Sequence, residues 1–123
     1  MAKILITDDS DTIREVMKGI LAKTDHVVVG EAENGLEAVE KFKELRPDIT
    51  TLDIAMPVMD GMEALEKIME IDPNAHIIMV SSASSSGNIP KSILFGACEF
   101  LEKPIDEICF LNIIAKIESY ITA

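Results

Sequence analysis

Ile49-Thr50-Thr51-Leu52-Asp53-Ile54-Ala55-Met56-Pro57-Val58-Met59-Asp60-Gly61 is the stretch that decides the fold. Its first four residues are β-branched or apolar and do not alternate with charged ones. Such a run suits a strand covered on both faces, which implies a parallel sheet. Asp53 ends the run and a loop containing Pro57 follows. Asp60-Gly61 then opens a segment of helical period, with Met62, Leu65, Ile68 and Met69 on one stripe.

The same alternation repeats in both directions. Further strand-like runs are Ile4-Leu5-Ile6, Val27-Val28-Val29, Ile77-Ile78-Met79-Val80 and Cys98-Glu99-Phe100-Leu101. Between them stand helical stripes: Ile13, Val16, Met17, Ile20 and Leu21, then Leu36, Val39 and Phe42. Phe110, Ile113, Ile114, Ile117 and Ile121 close the chain. Ser10 or Asp11 is suited to cap the first helix, and Asn34-Gly35 opens the second. Arg46-Pro47 and Asp72-Pro73 end the second and third. A fourth helix is expected near Pro90, which fits only a first helical turn. Five strands and five helices in strict alternation specify a doubly wound α/β sheet with right-handed crossovers.

The chain has 123 residues, with 22 acids against 11 bases and a formal net charge of −11. This length and an apolar content of 48% fit a single globular domain over residues 1–123. The acid excess argues against a general nucleic-acid binder and against docking to anionic membranes. It is also local. Residues 8–15, 53–73 and 99–107 carry net charges of −3, −5 and −3, and the remaining charges cancel. Cys98 and Cys109 are read as reduced, buried thiols, and His26 and His76 as incidental. Neither a secretory leader nor a membrane-length apolar stretch is legible, so the expected location is cytoplasmic.

Ligands of doubly wound sheets bind at the carboxyl ends of the strands, near the point where strand order reverses. The polar residues expected at that rim are Asp8-Asp9, Asp53, Ser81-Ser82 and Lys103. Carboxylates about 4 Å apart repel by about 1 kcal/mol per pair in water and about 4 kcal/mol at an effective dielectric of 20. A fold that gathers three of them calls for a compensating cation. Hard oxygen donors without nearby His or Cys select Mg²⁺, Mn²⁺ or Ca²⁺, and a small open site favours Mg²⁺. Asp53 would then be a carboxylate nucleophile forming an acyl phosphate.

Asp8-Asp9, Asp53 within its Leu-Asp-Ile-Ala-Met-Pro-Val-Met-Asp-Gly context, Ser81 and Lys103-Pro104 together resemble the receiver domains of two-component response regulators. The resemblance covers the whole chain, and Gly30 to Gly35 and Gly96-Ala97 fit it as well. It implies a flavodoxin-like sheet of order 2-1-3-4-5. It further implies that Asp8, Asp9, Asp53 and the Ala55 carbonyl hold Mg²⁺, and that Asp53 accepts phosphate from a histidine kinase. Lys103 and Ser81 would contact the phosphoryl oxygens, and Phe100 would be the switch aromatic. Lys103-Pro104 is the X-Pro bond expected to be cis.

Ala55 and Ala83 stand where receivers place side chains that orient hydrolytic water. Neither side chain bonds water, so slow self-dephosphorylation and a partner phosphatase are expected. A separate enzymatic activity is not. An Asp-nucleophile phosphatase would want a second acid two residues after Asp53, where Ala55 stands. A flavodoxin-like cofactor domain would not place Asp8-Asp9 against a phosphate. No effector domain is expected after the last helix, so output should come from a surface between Ile89 and the chain end that includes Phe100, Ile105 and Ile108, with Cys109 and Leu111. The resemblance is strongest to stand-alone chemotaxis receivers of the CheY type, which implies output to a flagellar switch protein. A phosphorelay carrier serving a phosphotransferase His is the alternative.

Overall fold

The structure, a computed structural model, describes residues 1–82, 96 and 99–122. The strands are β1 (Lys3–Thr7), β2 (Val27–Ala32), β3 (Ile49–Asp53), β4 (Ile77–Ser81) and β5 (Glu99–Glu102). The helices are α1 (Asp11–Leu21), α2 (Gly35–Leu45), α3 (Gly61–Ile71) and α4 (Glu107–Thr122). All strand pairs are parallel, in the expected order β2-β1-β3-β4-β5. The helix expected near Pro90 lies outside the described residues, as do Ala83 and Cys98.

Strand periodicity explains the layers. Ile4, Ile6, Ile78 and Val80 face one side, where Met17, Ile20 and Leu21 of α1 and Phe110, Ile114 and Ile117 of α4 close over them. Leu5, Leu52, Ile77 and Met79 face the other, under Val39 and Phe42 of α2 and Leu65 and Ile68 of α3. The three inner strands are thus buried on both faces, as their unbroken apolar runs imply. β2 differs, because it is an edge strand and stays half covered, with Val27 exposed.

Side-chain caps start the first three helices. Ser10, rather than Asp11, accepts from the Ile13 amide, Asn34 from Glu37 and Asp60 from Glu63. Three stripe residues are displaced from the core: Val16, Leu36 and Ile121 are exposed. Arg14 instead occupies the buried face of α1 with Met17 and Leu21. Cys109 is exposed, correcting its reading as a buried thiol. Lys103-Pro104 is cis, as expected. No helix among the described residues is long and apolar enough to cross a membrane.

Candidate functional site

Register assembles the site. Thr7 of β1 lies opposite Leu52 of β3, so the next residues on both strands, Asp8 and Asp53, fall side by side. Asp53 itself pairs with Val80 of β4, which sets Ser81 one step further on. Ser81 in turn pairs with Glu102 of β5, and its carbonyl accepts from the Lys103 amide at 2.8 Å. Four adjacent strands therefore deliver one residue of the candidate site each at the same rim. Strand order also reverses there, since β2 and β3 flank β1 on opposite sides.

Asp8, Asp9 and Asp53 each bring a carboxylate oxygen to within 4.8 Å of the others. Asp8 and Asp53 are buried and Asp9 is exposed. Lys103 Nζ stands 3.1 Å from Asp8 Oδ2 and 3.2 Å from Asp53 Oδ2. Asp8 Oδ1 accepts from the Ser10 amide at 2.9 Å, which ties the β1–α1 turn to the carboxylate. Burial pushes the Asp53 carboxyl up from 3.8 to about 6, and the Asp8 charge adds to this against the pull of Lys103. Burial opposes the charge on Lys103, but the bonds and fields of Asp8 and Asp53 outweigh it and leave its pKa raised. Lys103 therefore stays cationic while Asp53 is pushed toward neutrality.

The donor set fits a hard divalent cation: three convergent carboxylates, no nitrogen or sulfur ligand among them, and one exposed acid open to solvent. Ser81 Oγ is fully buried and has no hydrogen-bond partner among the described residues, on the strand next to that of Asp53. Ala55 is exposed in the loop after β3. That loop is held at both ends. The Ile54 amide donates to Val80 O, the Gly61 amide to Ile54 O, and the Gly35 amide of α2 to Met59 O. A Cβ at Gly61 would overlap the Asp53 carbonyl, which explains the glycine.

Phe100 is half-buried on β5 against the α2–α3 face. Ile105 packs partly on the opposite core, whereas Ile108 is 70% exposed. Arg14 is a site residue that the sequence pattern did not announce. It donates to Asp8 O at 2.6 Å and to Glu31 Oε1 at 3.1 Å, and it also pairs with Asp11. Its spacing to Met17 and Leu21 is the available signal, since a cation at i, i+3, i+7 of an apolar stripe is buried with it. Glu31 is held below its ordinary range by Lys18, with Arg14 adding to the effect.

Comparison with known proteins agrees with this geometry. The family model described as "Response regulator receiver domain" matches residues 4–115. The chain is 47% identical over 104 residues to chemotaxis protein CheY of Listeria monocytogenes, covering 85% of this chain and 87% of the relative. Among solved structures, the CheX-CheY-BeF3-Mg2+ complex of Borrelia burgdorferi aligns with a TM-score of 0.89 at 35% identity, covering 94% of this chain and 87% of that one. A receiver domain of Clostridium thermocellum gives 0.92 at 27% identity, covering 99% and 98%. The paired strand-end acids, the central aspartate and the lysine they share thus stand in a chain that belongs to the response regulator receiver domain family.

Proposed function

We propose that the chain is a phosphorylation-activated signalling switch in which Asp53 takes a phosphoryl group from the phosphohistidine of a histidine kinase. The observation that carries this reading is the Asp53 carboxylate, buried at the rim with Lys103 Nζ at 3.2 Å and, one strand over, the Ser81 hydroxyl, which has no partner among the described residues. An Asp53 oxygen attacks phosphorus and forms an O–P bond while the P–N bond breaks. Its electron pair leaves with the imidazole, which takes a proton from solvent. Lys103 meets the phosphoryl charge, and Ser81 donates its hydroxyl to a phosphoryl oxygen.

Asp8, Asp9, Asp53 and the Ala55 carbonyl are the residues that would hold Mg²⁺. Bound there, the cation supplies charge neutralisation for the transferred group. Incubating the protein with Mg²⁺ and a small phosphodonor, then mapping the acyl phosphate, tests the proposal. Label on Asp53, absent from Asp53→Asn, is expected; label elsewhere, or none, overturns it.

Output is read as phosphorylation-dependent protein binding with a CheY-like chemotaxis role at the flagellar switch, supported by the similarity to CheY proteins. Phe100, Ile105 and Ile108 mark the docking side. Ile108 is its most exposed apolar group, and Ile105 contributes through the part left uncovered by the core. An Ile108→Asp variant that accepts phosphate yet keeps full affinity for the switch protein would refute that placement. The alanine side chain at 55 offers no hydrogen bond to water, so phosphate should persist for minutes or longer on the isolated protein. A partner phosphatase is then needed, and the solved CheX–CheY complex of a relative supports such a pairing.

A further inference from the structure

Arg14 is a cation on the buried face of α1, its side chain only 9% exposed. Three carboxylates pair with it besides the Asp8 carbonyl: Glu31 at 3.1 Å, Glu33 at 3.6 Å and Asp11. The bond to Asp8 O, at 2.6 Å, matters most for the site. That oxygen belongs to the peptide that joins Asp8 to Asp9, so its direction sets how the two carboxylates diverge from the backbone. Asp8 is also fixed from the side-chain end by the Ser10 amide and Lys103. Asp9 is exposed and lies at the outer end of the same peptide, so its carboxylate takes its position from that peptide's orientation.

We infer that Arg14 is a positioning residue for divalent-cation binding: its guanidinium fork holds the Asp8–Asp9 peptide in the orientation that brings Asp9 to Asp8 and Asp53. The inference rests on the cation site of the proposed function, not on its phosphoryl transfer. Acting through a ligand's own backbone, it should matter as outer-shell partners of metal ligands do, by about tenfold in affinity.

Charge alone makes the opposite prediction, which gives the test its force. Arg14 is a positive group near a cation site, and it neutralises Glu31, Glu33 and Asp11. Removing it raises the local negative charge and, by Coulomb's law, should tighten Mg²⁺ binding. Loss of positioning should weaken it.

Mg²⁺ affinity is measured by titration calorimetry on wild type, Arg14→Gln and Arg14→Lys, with folded fraction checked by urea denaturation in EDTA. Arg14→Gln should bind about tenfold more weakly, and Asp53 phosphorylation by a small phosphodonor should recover to within about twofold at saturating Mg²⁺. A merely structural role would lower stability and leave both readings untouched. Arg14→Lys keeps the charge but loses the fork, and should be weaker by about threefold. If Arg14→Gln does not fold, Arg14→Lys carries the test. Unchanged or tighter binding in the folded variant overturns the inference. A wild-type chain that binds no Mg²⁺ overturns both this inference and the cation site. One that binds Mg²⁺ without labelling Asp53 overturns the proposed function and leaves the positioning role standing.

Discussion

Asp53→Asn should make the metal-free protein more stable at neutral pH. Asp53 is 4% exposed, and burial with the Asp8 charge raises its carboxyl from 3.8 to about 6. Each pK unit corresponds to about 1.4 kcal/mol, so carrying the charge costs the native state about 3 kcal/mol. A raised native pKa means that the folded protein binds the proton more tightly than the unfolded chain between these values. The favourable contribution is complete below 3.8, declines as pH rises through about 6, and is absent at about pH 7.5. Asparagine keeps the shape of the side chain and removes the charge. Urea denaturation in EDTA at about pH 7.5 should show a gain of about 3 kcal/mol, or roughly 1.5 M in midpoint at an m-value of about 2 kcal/mol/M. At about pH 4 the two proteins should nearly coincide. Mg²⁺ should close most of this gap by stabilising wild type, by about 2.7 kcal/mol at a hundredfold excess over Kd, and the Asp53→Asn variant far less. A variant equal to or weaker than wild type in EDTA at that neutral pH would refute the reasoning.

Lys103→Ala leaves Asp8 and Asp53 buried without their shared cation, 3.1 and 3.2 Å away in the native protein. Stability near neutral pH in EDTA should fall by about 2–4 kcal/mol, with the loss shrinking in acid as Asp53 protonates. Val58 holds φ at 69° while 78% exposed, a conformation costly for a β-branched residue. Val58→Gly should therefore raise stability by about 1 kcal/mol, read as a higher melting temperature. Gly61→Ala drives a methyl into the Asp53 carbonyl. It should cost about 2 kcal/mol or more and slow phosphorylation of the fraction that still folds, because the displaced atom belongs to the backbone of Asp53 itself. Phe110→Ala empties a fully buried site under α4 and should cost about 3–5 kcal/mol by denaturation, with the acidic cluster unmoved.

The inner strands are legible in the sequence because burial on two faces leaves no alternation to misread. Ile4-Leu5-Ile6 and Ile77 to Val80 each divide between the two cores, as a period of two requires. The clustering of Asp8, Asp53, Ser81 and Lys103 is legible for the same reason: strand ends in a parallel sheet share a rim, whatever the loops do. Helix faces are less secure. Val16 and Leu36 satisfy the period but lie at the margin of their stripes, where a rotation of the helix exposes them. Arg14 is hidden by chemistry rather than by period, since a guanidinium is buried only where acceptors from other segments surround it. Those acceptors, Asp8 O and Glu31, come from the end of β1 and from β2. Cys109 is likewise apolar by composition yet exposed by its place in the first turn of α4.

The ladder that sets Asp8, Asp53, Ser81 and Lys103 side by side also decides where this chain tolerates changes of length. All four positions are counted from paired residues inside the sheet, so the strands act as a common ruler for the rim. One residue added within β3 would carry Asp53 forward by about 3.3 Å and turn its side chain to the other face. A residue added between Leu45 and Ile49, or between Ile71 and Ile77, enters a connection at the opposite end and leaves the ruler unread. Insertional diversity should therefore gather at the rim away from the acids, and a library of single-residue insertions scored for Asp53 phosphorylation would map the boundary strand by strand.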